Sequence, residues 1–286
     1  MSRRPRHPWL RPAANIGLIA VLLIALSFLP PDNSLAEVQE NGVLKLCVPE
    51  SYPPLVQADE DSPGFDVELA GLIAQEIGVR LVVNVMPSIG RDFNPRNWRL
   101  TRGQCNIIAG GVADTVQTQG FLQTLPTLAE TGWVGISLDG SLPARGSSWA
   151  VWPGTSGLDR LALSRWLREN DVKARLVSSP TELRALLDRG EIDGAITERF
   201  AASATGIDNG KYQVFWLPPE SFERFRMALG LWKGDQTLYR AVRAALKKLD
   251  YKVKNIGSEY GLVYNFRVTS EQLAAKNFTC GLALTT

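Results

Sequence analysis

The stretch Asn106-Ile107-Ile108-Ala109-Gly110-Gly111-Val112-Ala113-Asp114-Thr115, with its exit Pro126…Glu130-Thr131-Gly132-Trp133, decides how the rest of the chain is read. A short apolar run that stops at two glycines reads as a buried parallel strand whose C-terminal end lets something approach its backbone. Ligands sit at that end of the strands in open α/β sheets, so the segment points to one wall of a small-molecule cleft. A plain strand–turn–helix unit accounts for the same pattern.

Working outward, the chain opens with Arg3, Arg4, Arg6 and Arg11, followed by an apolar run from Ile16 to Leu29. The run is shorter than the ~20 residues a helix needs to cross a bilayer. Small residues at Ser34 and Ala36 give a cleavage site after Ala36, so residues 1–36 are expected to be a signal peptide and the protein periplasmic; an uncleaved anchor is the alternative. The remaining chain is long enough for two lobes, each with its own core. Charged residues are 21% and hydrophobic ones 45%, ordinary for a globular protein. Net charge is only +2 and no basic run interleaved with aromatics occurs, which argues against nucleic acid as a partner.

The single histidine, His7, lies in the leader. No Cys/His set for zinc is therefore expected, and no cofactor. Three cysteines occur, Cys47, Cys105 and Cys280. In an exported protein a pair is expected to be oxidised. If the strands around Cys47 and Cys105 are neighbours in one sheet, those two can bridge; three reduced thiols are the alternative.

Elements alternate along the chain. A strand at Val43–Val48 is followed by a helix from Gly64 to about Ile77, with Phe65, Leu69, Leu72, Ile73 and Ile77 on one face, and by a strand at Leu81–Val85. That order implies a right-handed crossover and a parallel sheet. An arginine-rich segment (Arg91, Arg96, Arg99, Arg102) leads to the strand at Asn106. Past the polar passage Asp139–Ser148 a second series begins. Its strands fall at Trp149–Trp152, Ala174–Val177, Ile192–Thr197 and Tyr212–Trp216, and Ser179-Pro180-Thr181-Glu182 forms a capping box before one of its helices. A strand at Phe225–Leu231 and an amphipathic helix at Thr237–Leu249 close the chain's regular part. Two α/β series fit two lobes with the second inserted in the first; one long doubly wound sheet is the alternative.

Four stretches carry a resemblance to a known family. They are Gly42–Leu46 through Ser51-Tyr52-Pro53-Pro54, then Gly64-Phe65-Asp66-Val67-Glu68-Leu69-Ala70, then Asn106–Gly111 with Glu130-Thr131-Gly132, and Ile192-Asp193-Gly194-Ala195-Ile196-Thr197-Glu198. Together they resemble the periplasmic solute-binding proteins of ABC importers, of the two-lobed class that carries amino acids (family 3, type II). The resemblance implies an α/β fold of two lobes, each a mostly parallel sheet flanked by helices, joined by two hinge crossovers. It implies lobe 1 over 37–134, lobe 2 over 135–226, and a return to lobe 1 with C-terminal helices over 227–286. The hinges are expected near Gly132–Ile136 and Arg226–Leu231.

The resemblance also implies a function: capture of a small polar ligand, an amino acid or related amine, between the lobes, with hinge closure for delivery to an ABC permease by a monomeric protein that is not an enzyme. Glu198 stands where the family holds an acid against the ligand's ammonium. Gly154-Thr155-Ser156 opens a helix, so Thr155 and Ser156 with free N–H groups can cradle a carboxylate. Gly111 belongs to the same wall, and Tyr52 and Trp152 are candidates for stacking. The chain departs from the pattern at Asp114, where a hydroxyl is expected, and at Gln117, where the family has an arginine that forks the ligand carboxylate. Glutamine lacks both the charge and the fork, so a cationic or neutral polar ligand is favoured, with Asp114 and Glu198 facing one another across the cleft. Arg91, Arg96 or Arg99 can replace the missing charge. A dehydratase-like enzyme on the same scaffold and a sensing or accessory protein are the competing readings.

Overall fold

The computed structural model describes residues 10–27, 32–89, 94–153, 158–203, 205–207 and 210–262. An apolar helix α1 (Leu10–Ser27) comes first, then α2 (Ser34–Asn41). The first α/β series is β1 (Val43–Val48), α3 (Phe65–Glu76), β2 (Arg80–Val85), β3 (Ile107–Ile108), α4 (Val116–Phe121) and β4 (Leu122–Thr131). The second is β5 (Trp133–Ser137), β6 (Ser148–Trp152), α5 (Arg160–Glu169), β7 (Lys173–Leu176), α6 (Pro180–Asp188), β8 (Gly194–Glu198), α7 (Arg199–Ser203) and β9 (Gln213–Trp216). The chain then returns through β10 (Phe225–Trp232), α8 (Gln236–Lys248) and α9 (Asp250–Glu259).

These strands make two five-stranded sheets, ordered β2-β1-β3-β10-β4 and β7-β6-β8-β5-β9. Each combines two kinds of pairing. In the first sheet β1 runs parallel to β2 and to β3, as the β-α-β order requires, while β10 is antiparallel to β3 and β4. In the second, β6 is parallel to β7 and β8, and β5 is antiparallel to β8 and β9. The antiparallel strands are the ones that carry the chain between sheets, so they need no crossover helix beside them.

The first crossing falls at Gly132, between the last residue of β4 and the first of β5. The return lies ahead of Phe225, not within Arg226–Leu231, because Phe225 and Arg226 already pair with Thr131 and Glu130 in the first sheet. The 10-residue strand β4 escapes the sequence reading because Pro126 interrupts it. It is accommodated because β4 is an edge strand, where a missing N–H leaves no ladder partner stranded.

Packing begins earlier in the chain than the expected cleavage point after Ala36. The Asp32 carboxylate accepts the Thr237 N–H at the start of α8 (2.5 Å), and the Ser34 and Thr237 hydroxyls lie 3.0 Å apart. Among the described residues no helix is long and apolar enough to cross a membrane. Ser179 caps α6 by accepting the Glu182 N–H (3.1 Å), but the return bond of the box is displaced by one residue, since Glu182 accepts from Ser178. Cys47, on β1, and Cys105, just ahead of the neighbouring β3, are disulfide-bonded with Cα atoms 5.4 Å apart. Cys280, Arg91, Thr155 and Ser156 lie outside the described residues.

The first of the two glycines after β3, Gly110, answers to the chain itself. Gly110 has φ 70°, and a Cβ there would lie 2.5 Å from Val56 and 2.6 Å from Pro49. What approaches this backbone is the loop after β1. The Gly110 N–H donates to Asp66 Oδ2 (2.8 Å), in the first turn of α3. Asp66 is 1% exposed and its Oδ1 has no partner among the described residues. Burial pushes this carboxyl up from 3.8 to about 7, against the one backbone N–H that favours its charge. A folded-state pKa above the unfolded one means the folded chain holds a proton that the unfolded chain releases, so stability declines as pH rises from about 4 to about 7. Asp66→Asn is expected to flatten the decline across that window in thermal melts; wild-type and variant curves that stay parallel would show that Asp66 does not titrate there.

Candidate functional site

A cavity of about 760 Å³ opens between the two sheets. Its first-sheet wall is the Asp114–Gln119 segment, which follows β3 and enters α4, together with Asn94 and Asn97. Thr115 fixes that wall by capping α4, its hydroxyl accepting the Thr118 N–H at 3.2 Å. The opposite wall is the start of α5, with Leu158, Asp159 and Ala162, and Trp133 stands beside the crossing. The returning segment Ser221–Glu223 with Phe225 completes the enclosure.

The charge of this lining is one-sided. Asp114, Asp159 and Glu223 contribute carboxylates, Asn94, Asn97, Gln117 and Gln119 contribute amides, and no lysine or arginine lines the cavity among the described residues. Asp159 spends one oxygen on capping α5, accepting the Leu161 and Ala162 N–H groups at 2.9 Å each. Asp114 accepts from the Thr124 hydroxyl (2.5 Å) and the Gln119 amide (2.8 Å), and the exposed Arg226 guanidinium stands 3.9 Å away. The guanidinium is mostly solvated and lies beyond hydrogen-bond distance, so the contact is a loose one. Trp133, Phe222 and Phe225 supply apolar surface under these polar groups.

Glu198 is held elsewhere, at the waist between the sheets. It is 1% exposed; Oε1 accepts the Thr131 hydroxyl and the Phe200 N–H (3.0 Å), and Oε2 accepts the Ala201 N–H (2.9 Å). The Tyr52 hydroxyl, reaching over from the loop after β1, hydrogen-bonds it as well. Burial raises the Glu198 carboxyl, and these donors pull it back. Burial, and next the charge of Glu198, raise the Tyr52 phenol well above its usual range. The Tyr52 ring meets Phe200 edge-on, with centroids 5.5 Å apart. The neighbouring Arg199 donates to the Glu130 carbonyl (2.7 Å) and stacks on Phe200 and Trp216.

The structure thus separates residues that the sequence grouped. Asp114 and Gln117 line the cavity; Tyr52 and Glu198 bind each other and are absent from its lining. Asp114 and Glu198 are held by different partners, Asp114 by Thr124 and Gln119, Glu198 by Thr131 and the Phe200 and Ala201 N–H groups. Gly111 is buried behind the wall, and Trp152 packs on the core formed with Val177, Leu183 and Ile207. Arg96 and Arg99 are exposed, and from their segment Asn94 and Asn97 line the cavity instead. Sequence reasoning missed Asp159, although an aspartate directly ahead of a helical stripe is a capping signal. It also missed Trp133 and Glu223, whose roles depend on where the two crossings meet.

No family model and no curated protein matches the chain. Solved structures do share its fold. A substrate-binding protein of an ABC uptake transporter from Streptococcus pneumoniae, with bound histidine, is 22% identical over 80% of this chain and 96% of its own, with a TM-score of 0.57. An ancestral cationic amino-acid solute-binding protein is 18% identical, covering 82% and 100%, at 0.59. A mutant of ArgBP from T. maritima is 21% identical, covering 79% and 98%, at 0.55. The architecture is the two-lobed solute-binding-protein fold.

Glu198→Ala is expected to leave several buried donors unpaired and to lower unfolding stability by about 2–4 kcal/mol in denaturant titrations, with Glu198→Gln costing less. An alanine variant of unchanged stability would show that the carboxylate does not hold these donors.

Proposed function

We propose that this chain is an extracytoplasmic binding protein for a small cationic solute, an amino acid or related amine, which it encloses between its lobes. The observation that carries the reading is the cavity itself: carboxylates on both walls, amides on the first, aromatic surface beneath, and no lysine or arginine among the described lining residues. Such a lining favours an ammonium or guanidinium ion and disfavours an anion. The disulfide supports an oxidising compartment. The structures that share the fold are described as binding proteins for amino acids, in some cases of ABC transporters, which supports delivery to a membrane permease.

Closure follows from the placement of the lining. A ligand that touches Asp114 on one lobe and Asp159 on the other binds the closed form more tightly than the open one, and shifts the population by that difference. The pivots are Gly132 and the segment ahead of Phe225. The chemistry required is recognition alone, and the protein acts as a monomer.

A thermal-shift series over arginine, lysine, histidine, putrescine, glutamate and glucose tests this reading. A cationic member at about 100 times its Kd is expected to add about 2.7 kcal/mol of stability. Asp114→Asn is expected to weaken that ligand about tenfold, the loss of one charge-assisted contact. Stabilisation by glutamate or glucose alone, or chemical turnover of the stabilising compound, would overturn it.

A further inference from the structure

The second lobe carries another cavity, of about 340 Å³, between α5 and the edge strand β7. Its walls are apolar: Val151, Leu163, Leu167, Val172, Ala174 and Leu176. Its polar groups are Arg160, Ser164 and Arg168, spaced four residues apart, so they form one stripe along α5. No acidic residue lines it among the described residues. The Arg168 guanidinium donates to the Ser164 hydroxyl at 3.0 Å, a neutral partner that leaves its charge uncompensated within the groove. At the groove's outer side Leu176 is 74% exposed, so the slot opens to solvent there.

An apolar slot with cations along one side complements a molecule that is itself apolar with one anionic end. We propose that the groove between α5 and β7 binds an amphiphilic anion, a hydrocarbon chain or ring ending in a carboxylate, at a site distinct from the interlobe cleft. The chain would lie on Leu163, Leu167 and Val172, and the carboxylate would reach the α5 stripe at Arg168. The volume lies at the lower end of the range of about 300–1,000 Å³ typical of small-molecule sites. A peptide strand added to β7 is the competing occupant, and the neighbouring Lys173 and Arg175 on that strand are the kind of charge that discourages edge pairing. Trp133 lines both this groove and the interlobe cleft.

The test uses the full chain with octanoate as probe and octylamine as its cationic counterpart of equal length. Octanoate is expected to raise Tm and to displace the fluorescent anion anilinonaphthalene sulfonate; octylamine, whose ammonium the acidic cleft can hold with a rise in Tm of its own, is expected not to displace the dye. Arg168→Glu is expected to weaken octanoate at least about tenfold, and Ala174→Trp, which fills the groove from an exposed strand position, to do the same without changing charge. Both positions are exposed, so Tm without probe should stay close to wild type. Asp114→Asn should leave octanoate binding intact, which separates this site from the cleft. Equal displacement of the dye by octanoate and octylamine, octanoate affinity unchanged in both groove variants, loss in Asp114→Asn alone, or capture of a peptide strand with no response to octanoate would each overturn the proposal.

Discussion

Two strands of chain have to pass each other in the narrow space between the lobes, and much of the structure is arranged around that passage. Gly132 lies beneath Trp216; a Cβ at that position would come within 3.1 Å of the indole and 3.6 Å of the Arg224 backbone. The Gly132 carbonyl accepts the Arg199 N–H (3.1 Å), and the Trp133 carbonyl accepts the Leu217 N–H (3.1 Å). Arg199 and Arg224 place their guanidinium groups 5.5 and 4.6 Å from the Trp216 ring centre. Cation–π contacts and a side-chain-free residue at the closest point let the two crossings touch without a spacer. The lobes are joined at a waist that is packed and hydrogen-bonded, and the polar cavity opens beside it.

That division explains how acidic groups are distributed. Asp66 and Glu198 are buried, and burial raises both carboxyls. An acid in that setting favours its neutral form and serves as a hydrogen-bonding part of the core. Asp159 and Glu223 are exposed and Asp114 is half-buried. The cavity's carboxylates thus lie on its rim and wall, while Glu198 supports the waist through Tyr52 and Thr131.

Legibility in the sequence tracks the range of the forces involved. Local order was legible: the helix begun at Phe65, the capped helix at Pro180 and the strands around them depend on periodicity and on side chains a few residues away. The two-lobed architecture was legible through repetition of the α/β unit. Strand β4 was not, because Pro126 is tolerated only at a sheet edge, and edge status is a property of the finished sheet. The approach to Gly110 was read as that of a ligand, whereas Pro49 and Val56 occupy the space; a glycine records crowding without recording its source. Asp159 and Asp114 line one cavity from different lobes, which left no pattern within either segment.

The threading of the chain has a consequence for how the molecule is made. All five strands of the second sheet lie within residues 133–216, one unbroken length of chain. The first sheet cannot be completed from its own early strands, because β10, which begins at Phe225, must slot between β3 and β4. Closing that gap brings together residues as far apart as Ile107 and Leu231. Long loops are entropically slow to close, and here the intervening lobe shortens the search by folding within the loop. As the chain emerges from synthesis, the inserted lobe is therefore the first to have every strand it needs, and the lobe that begins the sequence is the last to finish.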